Sequence, residues 1–191
     1  EENALHLDIP LLASQFGRKL TLVGNLPYQI ASPLIFQFLA ARSSLRQIVI
    51  MIQREMADRV LAAPGSRDSN ALGVQIQMVC ATRRVCQVGR GAFLPPPRVD
   101  SSVVMLTPLP STAVPLRDLQ MFHQVVRAAF GQRRKTLRNA LSAAFSDDAM
   151  ASLASCGVDL SRRGESLLLS EFATLSDALS AHHEQSQRAQ S

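Results

Sequence analysis

Cysteine is scarce in this chain, and what there is has no pairing pattern: Cys80, Cys86 and Cys156 are odd in number, widely spaced and without a C-x-x-C pair. That argues against a disulfide framework and a zinc site, and leaves the three as small core or surface residues. The histidines, His6, His123, His182 and His183, show no ligand spacing either, so no metal is expected. There is no uninterrupted stretch of about 18 apolar residues, and no charged start leads into an apolar core. Neither a membrane span nor a signal peptide is indicated, and the composition agrees with a soluble, cytoplasmic protein. A nucleotide-binding glycine turn is missing too. The only close glycine pair, Gly89-Arg90-Gly91, lies far downstream and leads into prolines instead of a helix.

What the chain does have is an apolar run that stops at a polar turn. Leu20-Thr21-Leu22-Val23-Gly24 reads as a buried parallel strand, and Asn25-Leu26-Pro27-Tyr28 follows at its carboxyl end, where ligands bind in open α/β folds. The turn carries groups suited to acting on an amine. The exocyclic nitrogen of adenine is a poor nucleophile because its lone pair is delocalised into the ring, so a site must draw it toward tetrahedral geometry. The Asn25 amide oxygen is one acceptor for this, and the Leu26 carbonyl a second, its direction set partly by Pro27. Tyr28 offers a face for stacking, worth about 1–3 kcal/mol per base, which offsets much of the unstacking cost.

With 191 residues, 47% of them hydrophobic, the chain can bury the core of one domain and a smaller appendage. Leu11 to Phe16 predicts a short helix, Leu20 to Gly24 a strand, and Ser32 to Ala41 a helix capped by Ser32 with Pro33 in its first turn. Gln47 to Gln53 predicts a strongly apolar strand, Arg54 to Ala63 a helix, and residues 64–70 a polar loop. Leu72 to Cys80 reads as helical, and Arg84 to Val88 and Ser102 to Leu106 as two final strands. Residues 110–115 have the punctuation of a linker. Beyond it the pattern turns helical over Leu116 to Phe130, Thr136 to Phe145, Asp147 to Cys156 and Ser170 to His182. The polar ending, 183–191, lacks apolar periodicity and is expected to be mobile. Glu55 and Asp58 read as surface charges pairing with Arg54, Arg59 or solvent, not as a general-base pair.

A net charge of +5 hints at a polyanionic partner, and its distribution says more. Arg83, Arg84, Arg90 and Arg98 fall in a stretch without an acidic residue, as do Arg127, Arg133, Arg134, Lys135 and Arg138. Phosphate contacts from such patches make affinity fall steeply with salt and leave selection to the base pocket and RNA shape. A solvated helix face is the alternative.

Three segments together resemble the ribosomal RNA adenine dimethyltransferases: Asn25-Leu26-Pro27-Tyr28 through Leu34, Phe93-Leu94-Pro95-Pro96-Pro97-Arg98-Val99-Asp100-Ser101, and Phe130 through Asn139 with Gln132-Arg133-Arg134-Lys135. The first tetrad occurs in adenine-N6 DNA methyltransferases as well; all three in this order are strongly specific. The resemblance implies a Rossmann-like class I methyltransferase fold, of α/β class, with a small C-terminal α-helical domain. It also implies S-adenosylmethionine-dependent N6,N6-dimethylation of adenosines in small-subunit (16S) ribosomal RNA during ribosome assembly. On that reading, residues 1–109 are the later part of the catalytic domain, ending in an antiparallel hairpin, and residues 116–182 a helical RNA-binding domain. The glycine-rich cofactor loop that opens family members is absent, so the sequence looks like the later two-thirds of an enzyme, and poor cofactor binding is expected of it alone.

The resemblance also carries residue roles. Asn25, Leu26, Pro27, Tyr28 and Phe93 form the adenine site, with Phe93 facing the base from the side opposite Tyr28; the alternative for Phe93 is a loop aromatic capping the core. Asn3 and Ala4, in the place of a family Asp-Ala-Leu segment, join Asn25 at the cofactor, Asn3 keeping one acceptor where the family has a charged one. Arg90, Arg98, Arg133, Arg134, Lys135 and Arg138 meet RNA. No catalytic carboxylate or histidine is needed; positioning and electrostatics suffice. The expected partners are small-subunit ribosomal RNA and the immature small subunit, with the protein a monomer. A non-catalytic RNA-binding assembly module and a DNA adenine methyltransferase are the other readings.

Overall fold

The structure, a computed structural model, describes residues 4–132 and 134–190, with the backbone alone for 189 and 190. The chain divides into two compact units that do not follow one another in sequence: Glu1–Leu61 with Val79–Ser111, and Ala62–Met78 with Thr112–Ser191. Residues 62–78, expected within the catalytic part, thus fold with the helical part.

The first unit is built on a four-stranded mixed sheet of order β1-β2-β4-β3, formed by β1 (Leu20–Asn25), β2 (Leu45–Gln53), β3 (Cys80–Val88) and β4 (Ser101–Pro108). The nine residues of β2 explain its inner place: Ile48, Ile50 and Ile52 are fully buried on one face, and Val49 and Met51 half-buried on the other. A strand apolar on both faces must be covered on both. β1 runs parallel to β2, with Asn25 opposite Met51. β4 runs antiparallel to β2, pairing Ser101 with Gln53, and to β3, pairing Ser101 with Val88. The ends of β1, β2 and β3 and the start of β4 therefore share one sheet edge. Among its described residues this unit has three α-helices: α1 (Ile9–Gln15), capped by the Asp8 carboxylate, α2 (Ala31–Ala40) and α3 (Arg54–Leu61).

Several boundaries differ from the sequence reading. Ser32 does not cap α2; Ile30 does so without a side-chain hydrogen bond, because the Pro27–Ile30 turn leads straight into the helix through Leu34 N–H to Ile30 O at 3.0 Å. Pro33 then falls at the third helical position, where no N–H partner is lost. Helix α4 (Ala71–Val79) passes into β3 with no glycine or proline between them, so Cys80 is the first residue of a strand and not the last of a helix. β3 accommodates Val85 as a bulge, since Arg84 faces Val104 while Cys86 faces Val103. The Cys80 thiol is buried and pushed up to about 11, desolvation outweighing the opposing charge of Arg42. Cys86 is exposed and Cys156 half-buried, and all three are free thiols.

The second unit contains most of α4 together with α5 (Leu119–Gly131), α6 (Leu137–Leu141), α7 (Asp147–Ser152) and α8 (Leu169–Gln190). Asp118, Thr136 and Ser146 cap the starts of α5, α6 and α7 with side-chain oxygens. Phe122 and Phe172 are buried with their rings edge-on at 6.4 Å, and Phe130 stacks on Phe172 at 5.9 Å. Gly164 is required by close approach: a β-carbon there would lie 2.9 Å from the Ala129 carbonyl oxygen. The segment 183–190, expected to be mobile, continues α8 as helix. Its Glu, Gln, Ala and Arg residues are good helix formers, and propensity extends the element where apolar periodicity has stopped.

A part-buried ion pair fixes the start of α8. The Arg162 guanidinium bonds the Glu171 carboxylate and the Ser166 carbonyl, and Glu171 also accepts the Leu168 N–H at 2.8 Å. Desolvation pushes the Glu171 carboxyl up, but the Arg162 hydrogen bond, the Leu168 N–H and the Arg162 charge together hold it below its usual range. A carboxylate lowered in the folded state contributes stability above its unfolded pKa and loses it as pH falls through the folded one. Glu171→Gln is therefore expected to destabilise the chain by about 1–3 kcal/mol near neutrality. The gap between variant and wild type should narrow as pH falls through the lowered folded-state pKa, as read by thermal unfolding; a gap unchanged by acid would contradict this.

Candidate active site

Two clefts open at the shared sheet edge of the first unit. The first, of about 280 Å³, takes Asn25, Leu26, Pro27 and Tyr28 from the turn after β1. Phe93, Pro95 and Pro97 enter it from the connection between β3 and β4, and Ser101 from the start of β4. The turn is held by its one apolar member: Leu26 is 6% exposed, and its N–H donates to Met51 O at 3.0 Å. Burying Leu26 leaves its neighbours at the surface. Tyr28 is 43% exposed, and Asn25 is exposed as well. The Asn25 carboxamide and the Leu26 carbonyl have no hydrogen-bond partner among the described residues, while the next carbonyl, of Pro27, is taken by Ile30 N–H at 3.2 Å. Two neutral acceptors thus stand open beside two aromatic rings. Phe93 is half-buried and lines the same cleft as Tyr28.

The second cleft, of about 390 Å³, is lined by Arg54, Arg90 and Arg98 together with Gln53, Glu55, Val99 and Asp100. Consecutive residues, Asp100 and Ser101, contribute to the two clefts, so the Phe93–Val99 segment is the wall between them. Asp100 pins that wall. Its carboxylate accepts the Arg90 N–H at 3.1 Å and lies 3.7 Å from the Arg54 guanidinium, and its carbonyl accepts the Arg54 N–H at 3.0 Å. Arg90 and Arg98 form no ion pair among the described residues. The sequence assigns Asp100 no role of its own, and Arg54 only a surface pairing with Glu55 or Asp58. A single acid closing an arginine-rich stretch was the available signal.

The expected basic patches separate accordingly. Arg84 is tied to Asp58 on α3, so Asp58, its side chain still 55% exposed to solvent, pairs across to β3, and Arg54 pairs with Asp100. In the second unit, Arg134, with φ of 67°, and Lys135 stand exposed between α5 and α6, and Arg138 is exposed on α6. Arg133 and Asn3 lie outside the described residues. Ala4 is exposed in a 3-10 turn, Ala4–His6; its methyl group offers no polar contact. Of the residues assigned to the cofactor, Asn25 has the donor chemistry that fits, an uncharged acceptor at an open strand end. Among the described residues no group of His, Cys, Asp and Glu is placed to hold a metal ion, and no helix is long and apolar enough to cross a membrane.

Comparison with known proteins gives this geometry a family. A model described as ribosomal RNA adenine dimethylase matches residues 1–180. Ribosomal RNA small subunit methyltransferase A of Pseudomonas syringae pv. tomato is 43% identical over 178 residues, covering 93% of this chain and 65% of that protein. The protein of the same name from Pectobacterium atrosepticum is 36% identical over 182 residues, with 95% and 66% covered. Among solved structures, a dimethyladenosine transferase from Plasmodium falciparum matches with a TM-score of 0.69 at 27% identity, covering 81% of this chain and 64% of that one. The 23S rRNA methyltransferase ErmE matches in fold, with a TM-score of 0.61 at 21% identity over 85% and 66% of the two chains. The fold is thus the Rossmann-like methyltransferase fold, of which the sheet here is a mixed four-stranded part. The chain spans 65% of the length of the first of these relatives. With the family model covering nearly all of it, the chain belongs to the ribosomal RNA adenine dimethylase family.

Proposed function

We propose that the first cleft receives an adenine extruded from small-subunit (16S) ribosomal RNA and positions its exocyclic amine for N6,N6-dimethylation. The observation that carries this is the meeting of Tyr28 and Phe93 with the open acceptors of Asn25 and Leu26 in one cleft. S-adenosylmethionine, when bound, supplies an electrophilic methyl group on sulfonium sulfur; Asn25 would hold it at the strand end, and Asn3 and Ala4 are the further residues assigned to it from the family resemblance. The chain's own residues do the rest. Tyr28 and Phe93 hold the purine between their faces, and stacking of this kind is worth about 1–3 kcal/mol per base. Asn25 Oδ1 and the Leu26 carbonyl oxygen accept from the amine, localising its lone pair on nitrogen. The proton shed from the amine leaves to water or by way of these acceptors, so no side chain with a shifted pKa is required.

Arg90 and Arg98 take phosphates beside the cleft, and Arg133, Arg134, Lys135 and Arg138 of the helical unit hold structured RNA. Such contacts position the strand without reading its sequence. A cytoplasmic protein acting as a monomer on the immature small subunit is the setting this implies. The test is methyl transfer to small-subunit ribosomal RNA by a polypeptide that carries the family's cofactor loop, with Asn25→Ala as control. Transfer that disappears in the variant supports the reading. RNA binding without any transfer would instead point to a non-catalytic assembly module.

A further inference from the structure

The wall between the two clefts carries one side chain that the folded chain leaves wholly uncovered. Leu94 is 98% exposed, more than any other large apolar residue described. It stands between Phe93 and Pro95, both of which line the first cleft, yet it lines neither cleft. Phe93, Pro95 and Pro97 line the first cleft, and Arg98 the second. Leu94 stands open to solvent beside the first cleft. Nor can it readily fold away. Three prolines stiffen the segment that follows, and the Arg90 N–H to Asp100 bond ties the base of the loop together.

A base that leaves a stack to enter the first cleft comes to lie against Phe93, the residue before Leu94. An isobutyl group beside that ring, with nothing of its own chain to pack on, matches the apolar wedges that proteins insert between base steps when they unstack nucleic acid. We propose that Leu94 is a positioning residue that enters the gap vacated by the extruded adenosine and slows its return. This rests on the first cleft being the adenine site. Because Leu94 is solvated in the free protein, its replacement does not disturb folding.

The test compares Leu94→Ala, Leu94→Met and wild type for affinity to two RNAs of identical sequence around the adenosine. One is a hairpin in which the adenosine is stacked; the other is a short single strand in which it is not. Leu94→Ala should weaken hairpin binding by about tenfold, leave the single strand within about twofold, and be rescued by Leu94→Met. Equal losses on both RNAs, or none on the hairpin, would overturn the wedge. Phe93→Ala, run alongside, separates the two failures: it should weaken both RNAs if the cleft takes the base. An unchanged affinity for both would count against the cleft while the Leu94 comparison still judged the wedge.

Discussion

Asn25→Ala should lower methyl transfer by about 10²-fold or more while leaving RNA affinity within about twofold. The size follows from what removing one preorganised hydrogen-bonding group does in acyl-transfer sites, about 10²–10³ in turnover. The split follows from where the carboxamide sits. It lines the first cleft with no partner among the described residues, so its replacement breaks no side-chain bond of the fold, and on the proposed function it meets the amine only after the base has arrived. An interaction strengthened as the nitrogen becomes tetrahedral changes turnover more than binding. Asn25→Asp is the informative companion, because it keeps an acceptor and adds a charge. Near-normal transfer by the alanine variant would remove Asn25 from the mechanism, and an equal fall in RNA affinity would make it a binding residue.

Phe93→Ala should reduce turnover by about 5- to 150-fold, the equivalent of losing about 1–3 kcal/mol of base stacking, and reduce total RNA affinity by less. Phe93 is only half-buried and stands on a connecting segment, so its loss opens no large cavity in the core. Most RNA affinity is expected from phosphate contacts at Arg90, Arg98 and the helical unit, which this change leaves intact. Single-turnover methylation and equilibrium binding on the same RNA decide the matter. Losses of equal size in both would return Phe93 to the role of a loop aromatic covering the core.

Much of the site was legible because its parts are local. The strand-to-turn break at Gly24-Asn25 and the proline run after Phe93 are punctuation that can be read without knowing the fold, and one cleft unites them. The adjoining second cleft was less legible. Arg54 follows β2 directly, and only the pairing of Gln53 with Ser101 brings it beside Asp100 and the arginines at 90 and 98. No sequence spacing encodes that meeting. The same reason hid the Arg84–Asp58 pair, whose members are 26 positions apart. Element boundaries failed where punctuation was missing: α4 becomes β3 at Val79-Cys80 without a breaker, and α8 outruns its apolar stripe. The assignment of residues 62–78 to the helical unit was likewise beyond local patterns, since it depends on packing partners far along the chain.

Tyr28 gives the central claim its most direct test, because it is the only tyrosine in a chain without tryptophan. Its fluorescence reports the first cleft with no label and no cofactor. Titration with single-stranded RNA containing the target adenosine should quench this emission saturably, and the same RNA with an abasic site at that position should bind without quenching. Quenching of equal depth by the abasic strand, or none at saturation by the intact one, would mean that no adenine rests on Tyr28.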